Sequence, residues 1–235
     1  MRYRARGDLR GSSNVTIQPL GDQAAIAYCQ DEDQAALLVA NLRRLPPAWC
    51  IDVVQAYVSV ALYYDVAAID FIQVADWLAT VSTEGGPSAL AGRMHVIPCC
   101  YDLGLDLERV KSQTGLSREV IIEIHSASVY SVFAIGFCPG FPYLGYLPHE
   151  LTGVSRLDSP RLTVEEGSVG LTGRQTGIYT QTRPGGWNIV GRTPLQLVDV
   201  KDEYFPIRTG DRVRFSRIGL EEFNRLRGTR LRPEA

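Results

Sequence analysis

The chain has 235 residues, of which 45% are hydrophobic and 21% are charged, and its formal net charge is −2. This composition is that of a globular protein, and the small net charge excludes a general attraction to nucleic acid or to an anionic membrane. No apolar run approaches the roughly 18–20 residues of a membrane-spanning helix, and the basic first residues lack the apolar core of a secretory signal.

Residues 1–84 are predicted to form a small α+β domain. The first strands are predicted within residues 15–28, on either side of a Gly-Asp turn. Either Asp31 or Asp33 is then predicted to cap a helix that runs to about Arg44, after which two prolines end it. Alternating apolar side chains over residues 53–65 predict one strand with a buried face. Asp70 is predicted to cap a second helix.

Residues 85–92 contain small and polar residues interrupted by Gly-Gly-Pro, which predicts a linker. A second domain is predicted over residues 93–219. It begins with a strand and continues with two short helices, the first closed by Gly115 and the second capped by Ser117. It ends with strands at 195–200 and 211–218. Residues 220–235 are predicted to add one or two helical turns and then a charged, solvated tail.

The cysteines and histidines predict no metal site. The five cysteines are an odd number without a C-x-x-C pair, which favours free thiols in a reducing compartment and therefore a cytoplasmic protein. The three histidines, His95, His125 and His149, lie far apart, and no cysteine stands at ligand spacing from them.

Residues 136–194 are unusually rich in turn-forming residues, since they hold half of the 22 glycines of the chain. Large aromatic residues alternate with these glycines, and each is worth roughly 1.5–3 kcal/mol when it is buried. A flexible linker lacks such groups. The segment therefore predicts a folded β-rich domain whose tight loops bring aromatic and polar side chains to one pocket.

Three motifs stand out within this segment: GFCPGFPYLG at 136–145, GSVGLTGRQTGIY at 167–179 and PGGWNIVGRTP at 184–194. The first is not a phosphate-binding loop, because it lacks the Gly-Lys-Ser/Thr ending. Its prolines stiffen a turn that presents Tyr143, whose hydroxyl suits a polar ligand. The alternative is a packed structural turn.

Polar residues in the second and third motifs are candidates for ligand binding. Gln175 and Thr176 are predicted on a sharp turn, where an amide and a hydroxyl orient an amide or carboxylate ligand. Alternatively, Gln175 bonds to the backbone and locks the turn. Arg192 has a planar donor group that suits a carboxylate or phosphate, unless it forms an ion pair with Asp199 or Asp158.

Two further candidates lie outside these motifs. Arg161, in a Ser-Pro-Arg sequence, is a second anion-binding candidate. His125 follows an apolar helix and has a reference pKa near about 6.5, which suits a general acid or base. A structural hydrogen bond is the alternative for His125. Cys138 has no histidine partner that the sequence reveals, so we do not predict a cysteine nucleophile.

The motifs GFCPGFPYLGYLP, DSPRLTVEEGSVGLTGRQTGIY and RPGGWNIVGRTP together resemble the family of the 5-oxoprolinase B subunit, also called allophanate hydrolase subunit 1 or KipI. Upstream segments match in the same order, so the resemblance covers nearly all of residues 15–217. The sequence departs from the family pattern at VEEGS, where V-P-A-G-S is common, and at Cys138, Arg174 and Thr180–Gln181.

The resemblance implies an α+β N-terminal domain followed by a mainly β, cyclophilin-like barrel domain. It also implies the B subunit of an ATP-hydrolysing complex that opens the lactam of 5-oxo-L-proline to L-glutamate. The expected partners are a homologous, KipA-like C subunit and an A subunit of the LamB/YcsF type. ATP with Mg is expected to be shared across the hetero-oligomer, without biotin on this chain, which is expected to be inactive alone.

Two other functions remain open from the resemblance. One is a KipI-like regulator that inhibits a sensor histidine kinase, which would need a docking surface rather than an intact pocket. The other is a subunit of an amidohydrolase that processes allophanate or urea. For the enzyme, the hypothesis assigns anion binding to the arginines, amide orientation to Gln175 and Thr176, and the pocket walls to aromatic residues. The predicted catalytic residues are His125, Gln175 and Arg192, and the predicted substrate-binding residues are Tyr143, Arg161, Thr176, Tyr179, Trp187 and Thr193.

Overall fold

The computed structural model describes residues 9–10, 15–83 and 92–232, which form a mainly β protein with five α-helices. The chain divides into two compact units, Met1–Ala91 and Gly92–Ala235. Of the predicted linker, residues 85–91 lie outside the described residues, and only Gly92 is described. No helix within the described ranges is both long enough and apolar enough to cross a membrane.

The described part of the first unit contains one antiparallel sheet and two helices. Its elements are β1 (Leu9–Arg10), β2 (Thr16–Leu20), β3 (Ala24–Tyr28), α1 (Glu32–Arg44), β4 (Cys50–Ala56), β5 (Ser59–Tyr64) and α2 (Phe71–Thr80). The strand order is β1-β2-β3-β5-β4. Both helices bury their apolar sides in a core that includes Leu38, Leu42 and Val74. The two strands predicted within residues 15–28 are confirmed.

Capping side chains fix where both helices begin. The Asp31 carboxylate accepts a hydrogen bond from the Gln34 amide at 2.7 Å, and Asp70 forms a capping box with Gln73. The predicted single strand over 53–65 is wrong, since the chain turns at Tyr57, whose φ is 55°, and pairs β4 with β5. Because no glycine marks this turn, strand-forming residues conceal it.

The second unit contains nine strands and three helices among the residues described. They are β6 (Met94–Cys99), α3 (Leu107–Thr114), α4 (Arg118–Ala127), β7 (Val129–Ile135), β8 (Pro142–Gly145), β9 (Arg161–Val164), β10 (Ser168–Thr172), β11 (Gln175–Ile178), β12 (Arg183–Gly185), β13 (Asn188–Arg192), β14 (Arg212–Arg217) and α5 (Leu220–Leu226). As predicted, Gly115 ends α3 in a left-handed conformation and Ser117 caps α4.

Seven of these strands form a path that closes on itself. The order is β6-β14-β7-β8-β11-β10-β13, parallel between β6 and β14 and antiparallel elsewhere. Cys100, which follows β6, exchanges two backbone hydrogen bonds with Arg192 at the end of β13, at 2.8 and 3.0 Å. The enclosed core includes Val132, Leu144 and Leu171. Strands β9 and β12 form a separate ribbon.

Two predictions near the C-terminus are wrong. Residues 195–200 do not form a strand, although Leu197 and Val198 are buried, because they make only isolated bridges. The tail beyond α5 is not simply solvated, since Leu231 is 4% exposed and belongs to the core. Arg230 pairs with Asp199 at 2.9 Å and with Asp202. The alternating apolar residues at 195–200 therefore indicated buried side chains and not a strand that pairs with a neighbour.

Candidate functional site

The three glycine-rich motifs become neighbours in the second unit. The first motif supplies β8, the second forms the hairpin of β10 and β11, and the third supplies β13. These strands lie side by side in the order β8-β11-β10-β13. Segments that are far apart in the sequence therefore build one continuous surface.

An aromatic cluster of Phe141, Tyr143, Tyr179 and Trp187 covers part of this surface. The centre of the Phe141 ring lies 4.9 Å from that of Tyr143, 5.3 Å from that of Tyr179 and 5.5 Å from that of Trp187. The ring planes meet at 61° to 87°, which is the edge-to-face arrangement that aromatic pairs favour. The cluster is distinct from the core enclosed by the strands.

Two glycines are required because these rings lie directly against the backbone. A Cβ atom on Gly177 would lie 2.9 Å from the Phe141 ring and 3.0 Å from the Trp187 ring. A Cβ atom on Gly185 would lie 2.2 Å from the Tyr179 hydroxyl. Neither glycine has a positive φ. At these positions glycine therefore serves close packing rather than an unusual turn.

The aromatic cluster walls a cavity of about 260 Å³. It is lined by Phe137, Phe141, Tyr143, Arg156, Pro160, Tyr179, Pro184, Gly185, Gly186 and Trp187. We call this space the aromatic cavity. The structure thus brings together three of the predicted substrate-binding residues, Tyr143, Tyr179 and Trp187. Their role in substrate binding stays a prediction.

The two tyrosines give the aromatic cavity hydrogen-bond donors. Burial raises the pKa of Tyr143 and of Tyr179, so both hydroxyls keep their protons at neutral pH. The Trp187 backbone acts against burial and lowers the pKa of Tyr179. The positive charge of Arg156 also opposes the effect of burial, but the pKa of each tyrosine stays raised because burial is the larger cause.

The charged residue of the lining was not among the predicted site residues. Arg156 carries no motif of its own; its position shortly before Ser-Pro-Arg is the only signal that could have indicated it. Phe137 has a φ of 65° and is 58% exposed, although its ring contacts Phe141 and Tyr179. A left-handed backbone is costly for a bulky residue, and such strain is found disproportionately at binding sites.

The arginines predicted to bind anions are already paired. Arg161 donates to the buried Asp106 carboxylate at 2.6 Å, and Arg192 pairs with Glu165. The Arg192 Nε also donates to the Glu166 carbonyl at 2.9 Å. Glu165 and Glu166 are the two residues of VEEGS that depart from the family pattern. The suggested partners of Arg192, Asp199 and Asp158, are wrong, because that local departure provides a nearer carboxylate.

Arg192 and Thr193 do not line the aromatic cavity. They face a different cavity of about 270 Å³, together with Glu166 and Arg227. Arg192 also borders a third cavity of about 460 Å³. The prediction of one pocket that combines these residues with the aromatic walls is therefore wrong, since β13 presents Arg192 at its far end, beside Cys100.

His125 and Thr176 are core residues, and both are fully buried. The Thr176 hydroxyl donates to the Gly170 carbonyl at 3.0 Å, so its oxygen accepts from His125 Nε2 at 2.9 Å. His125 Nδ1 then accepts from the Tyr101 hydroxyl at 2.8 Å. Burial lowers the pKa of His125 to about 3. The predicted proton transfer by His125 and amide orientation by Thr176 receive no support, because both side chains are fully buried and neither lines the aromatic cavity.

Gln175 begins β11 next to a tight turn and does not line the aromatic cavity. Its backbone lies opposite Thr172 and Gly145. Gly173, in the turn, has a φ of 57°, and the Arg174 guanidinium lies 4.0 Å from the centre of the Tyr146 ring. Gln175 thus lies two residues along the ladder from the Gly177–Tyr143 pair, and its predicted catalytic role receives no support from the cavity.

Two other departures from the family pattern contact each other. The Cys138 sulfur lies 3.5 Å from the Thr180 hydroxyl, and both residues are buried beside the aromatic cluster. The Thr180 hydroxyl donates to the Pro139 carbonyl at 2.7 Å. These two departures therefore change residues that pack behind the aromatic cluster and not residues that line the cavity.

Comparison with known proteins confirms the resemblance. A family model described as carboxyltransferase domain, subdomain C and D, matches residues 15–206 of the chain. The chain is 32% identical over 231 positions to the 5-oxoprolinase B subunit of Bacillus subtilis (strain 168), an alignment that covers 88% of this chain and 95% of that protein.

Two further matches cover smaller parts of the proteins concerned. The chain is 49% identical to the 5-oxoprolinase B subunit of Escherichia coli O157:H7 over 113 residues, which are 48% of this chain and 51% of that protein. The crystal structure of TTHA0988 matches with a TM-score of 0.72 and 33% identity, over 83% of this chain and 40% of that one. The matched regions thus span about half or less of these two proteins.

Proposed function

Because the chain belongs to the family of the carboxyltransferase domain, subdomain C and D, we propose that it is the B subunit of a 5-oxoprolinase complex. The relatives that carry the name of this subunit support the proposal. The reaction opens the lactam ring of 5-oxo-L-proline to L-glutamate and hydrolyses ATP. We further propose that the second unit has the cyclophilin-like barrel fold and that the first is an α+β domain.

The aromatic cavity is the observation that carries this proposal. A lactam has apolar ring faces and a polar amide edge, and aromatic walls with a few polar groups suit such a ligand. The hydroxyls of Tyr143 and Tyr179 are protonated donors in a mostly apolar space. When they donate to the lactam oxygen, they stabilise the negative charge that develops there while the amide is attacked.

The composition of the lining indicates that partners complete the site. The aromatic cavity contains no carboxylate and no histidine among its described lining residues. Opening an amide with water needs a group that accepts a proton from the water. We propose that this group belongs to the homologous C subunit or to the A subunit of the LamB/YcsF type. The chain then binds and orients the substrate but does not catalyse alone.

ATP and Mg do not fit this chain by itself. Across the described ranges, no group of three or more His, Cys, Asp or Glu side chains is placed to hold a metal ion. The glycine-rich motifs also lack the Lys-Ser/Thr ending of a phosphate loop. We propose that ATP with Mg is held mainly by the other subunits, and that the complex works in the cytoplasm.

The proposal predicts a defined loss when the tyrosine hydroxyls are removed. We expect Tyr143→Phe and Tyr179→Phe each to lower kcat/KM for 5-oxo-L-proline at least about tenfold, because removal of one donor to a developing oxyanion commonly costs about 10²–10³ in rate. The measurement is 5-oxoproline-dependent ATP hydrolysis by the three co-expressed subunits. Tyr28→Phe, at an exposed tyrosine of the first unit, is the control.

Three outcomes would contradict the proposal. They are ATP hydrolysis that does not depend on 5-oxo-L-proline, turnover of allophanate or urea in its place, and activity of the two variants equal to that of the Tyr28→Phe control. Inhibition of a sensor histidine kinase by the chain alone, without any activity of the complex, would favour the regulatory alternative.

A further inference from the structure

The arginines close to the glycine-rich motifs of the second unit differ in what they contact. Arg161 and Arg192 form ion pairs with Asp106 and Glu165. Arg109 donates to Asn188, to Ser155 and to a backbone carbonyl. Among the residues the structure describes, no Asp or Glu carboxylate lies within 4.0 Å of Arg156. The Arg156 guanidinium therefore retains its capacity to bind an anion.

Arg156 is also the only charged residue in the described lining of the aromatic cavity. Its positive charge lowers the pKa of both cavity tyrosines, against the larger effect of burial. Its planar guanidinium presents a set of N–H donors that matches the geometry of a carboxylate.

The backbone around Arg156 is held in place although its side chain is exposed. The Arg156 carbonyl accepts a hydrogen bond from Arg109 at 3.2 Å, and the following amide, of Leu157, donates to Gly186 at 2.8 Å. Gly186 itself lines the cavity. The backbone that carries the Arg156 side chain is thus fixed, whereas its guanidinium is accessible to a ligand. A fixed backbone limits the conformational entropy that the protein loses on binding.

We propose that Arg156 determines the ligand class of the aromatic cavity by binding the carboxylate of a small cyclic acid. The aromatic rings hold the apolar faces of the ring, the tyrosine hydroxyls donate to a carbonyl oxygen, and Arg156 pairs with the carboxylate. Neutral rings of the same size bind more weakly. This assignment depends on the proposed function only for the identity of the ligand, which would be 5-oxo-L-proline.

The test compares two probes of nearly equal shape, cyclopentanecarboxylate and cyclopentanecarboxamide. Their binding to the assembled complex of three subunits is measured by calorimetry for the wild type, Arg156→Gln and Arg174→Gln. Arg174 is a matched control, since it is an exposed arginine that stacks on Tyr146 outside the cavity. We expect the wild type and the control to prefer the carboxylate by about 10- to 100-fold. Arg156→Gln should remove this preference and leave carboxamide binding unchanged.

Each other result overturns the assignment. Binding of neither probe, equal binding of both by the wild type, or a preference that survives in Arg156→Gln would show that Arg156 does not select carboxylates. Failure of the proposed function looks different. In that case the wild type still prefers cyclopentanecarboxylate and Arg156→Gln loses the preference, but 5-oxo-L-proline does not stimulate ATP hydrolysis.

Discussion

Trp187→Ala is expected to lower the free energy of unfolding by about 3–5 kcal/mol, the range observed when buried Trp or Phe residues are cut to alanine. Trp187 is 6% exposed and packs against Phe141 and Tyr143. It also packs directly against Gly170 and Gly177, which carry no side chain to fill the space that its ring would leave. Urea unfolding of the chain, followed by circular dichroism, measures this loss.

The same substitution is expected to reduce 5-oxoproline-dependent ATP hydrolysis about 10²-fold, since loss of one wall misplaces the substrate by an ångström or more. Trp187→Phe retains a ring and should keep most of the stability with a smaller loss of activity. Trp77→Phe, in the first unit, is the control for loss of indole area. Full activity in a folded Trp187→Ala complex would show that the aromatic cavity does not hold the substrate.

His125 is expected to make the protein sensitive to acid. Burial lowers its pKa in the folded state to about 3, whereas in the unfolded chain it takes up a proton near about 6.5. Below about pH 6.5, His125 therefore binds a proton in the unfolded state but stays neutral in the folded state. Stability is highest above that pH and falls towards pH 3, by up to about 1.4 kcal/mol per pH unit.

The variant His125→Leu separates this effect from other titrations. It should be less stable at pH 7.5 by about 1–3 kcal/mol, because Tyr101 and Thr176 each lose a hydrogen-bond partner. Its stability should depend less on pH between 6.5 and 4.5 than that of the wild type. Asp211, whose pKa is lowered by contacts such as that with His95, loses its contribution only at lower pH. Equal slopes in urea unfolding would contradict the buried neutral state of His125.

Local signals predicted local structure well in this chain. The helices α1 and α2 begin beside Asp31 and Asp70 as expected, because a capping carboxylate acts within one turn of its own position. Gly115 and Ser117 likewise predicted an end and a beginning. The hairpin at Tyr57 was missed since its turn has no glycine, asparagine or proline to mark it.

The glycine-rich motifs predicted that aromatic residues meet, but not which polar groups join them. Tyr143 in β8, Tyr179 directly after β11 and Trp187 directly before β13 line one cavity, because these strands are neighbours in the closed sheet. The pairing of Arg161 with Asp106 joins residues 55 positions apart, and no local pattern reveals it. The sequence also does not reveal Arg156, because what distinguishes this residue is that it has no carboxylate partner among the described residues.

The central claim is that the aromatic cavity of this chain receives the substrate of the complex. The most direct test labels the three tryptophans with 5-fluorotryptophan and follows their ¹⁹F resonances in the assembled complex during a titration with 5-oxo-L-proline. Trp49 and Trp77 contact each other in the first unit and serve as internal references, and Trp187→Phe assigns the third signal. We predict a saturable shift of the Trp187 resonance alone. An unchanged Trp187 resonance at substrate concentrations that saturate ATP hydrolysis would contradict the claim.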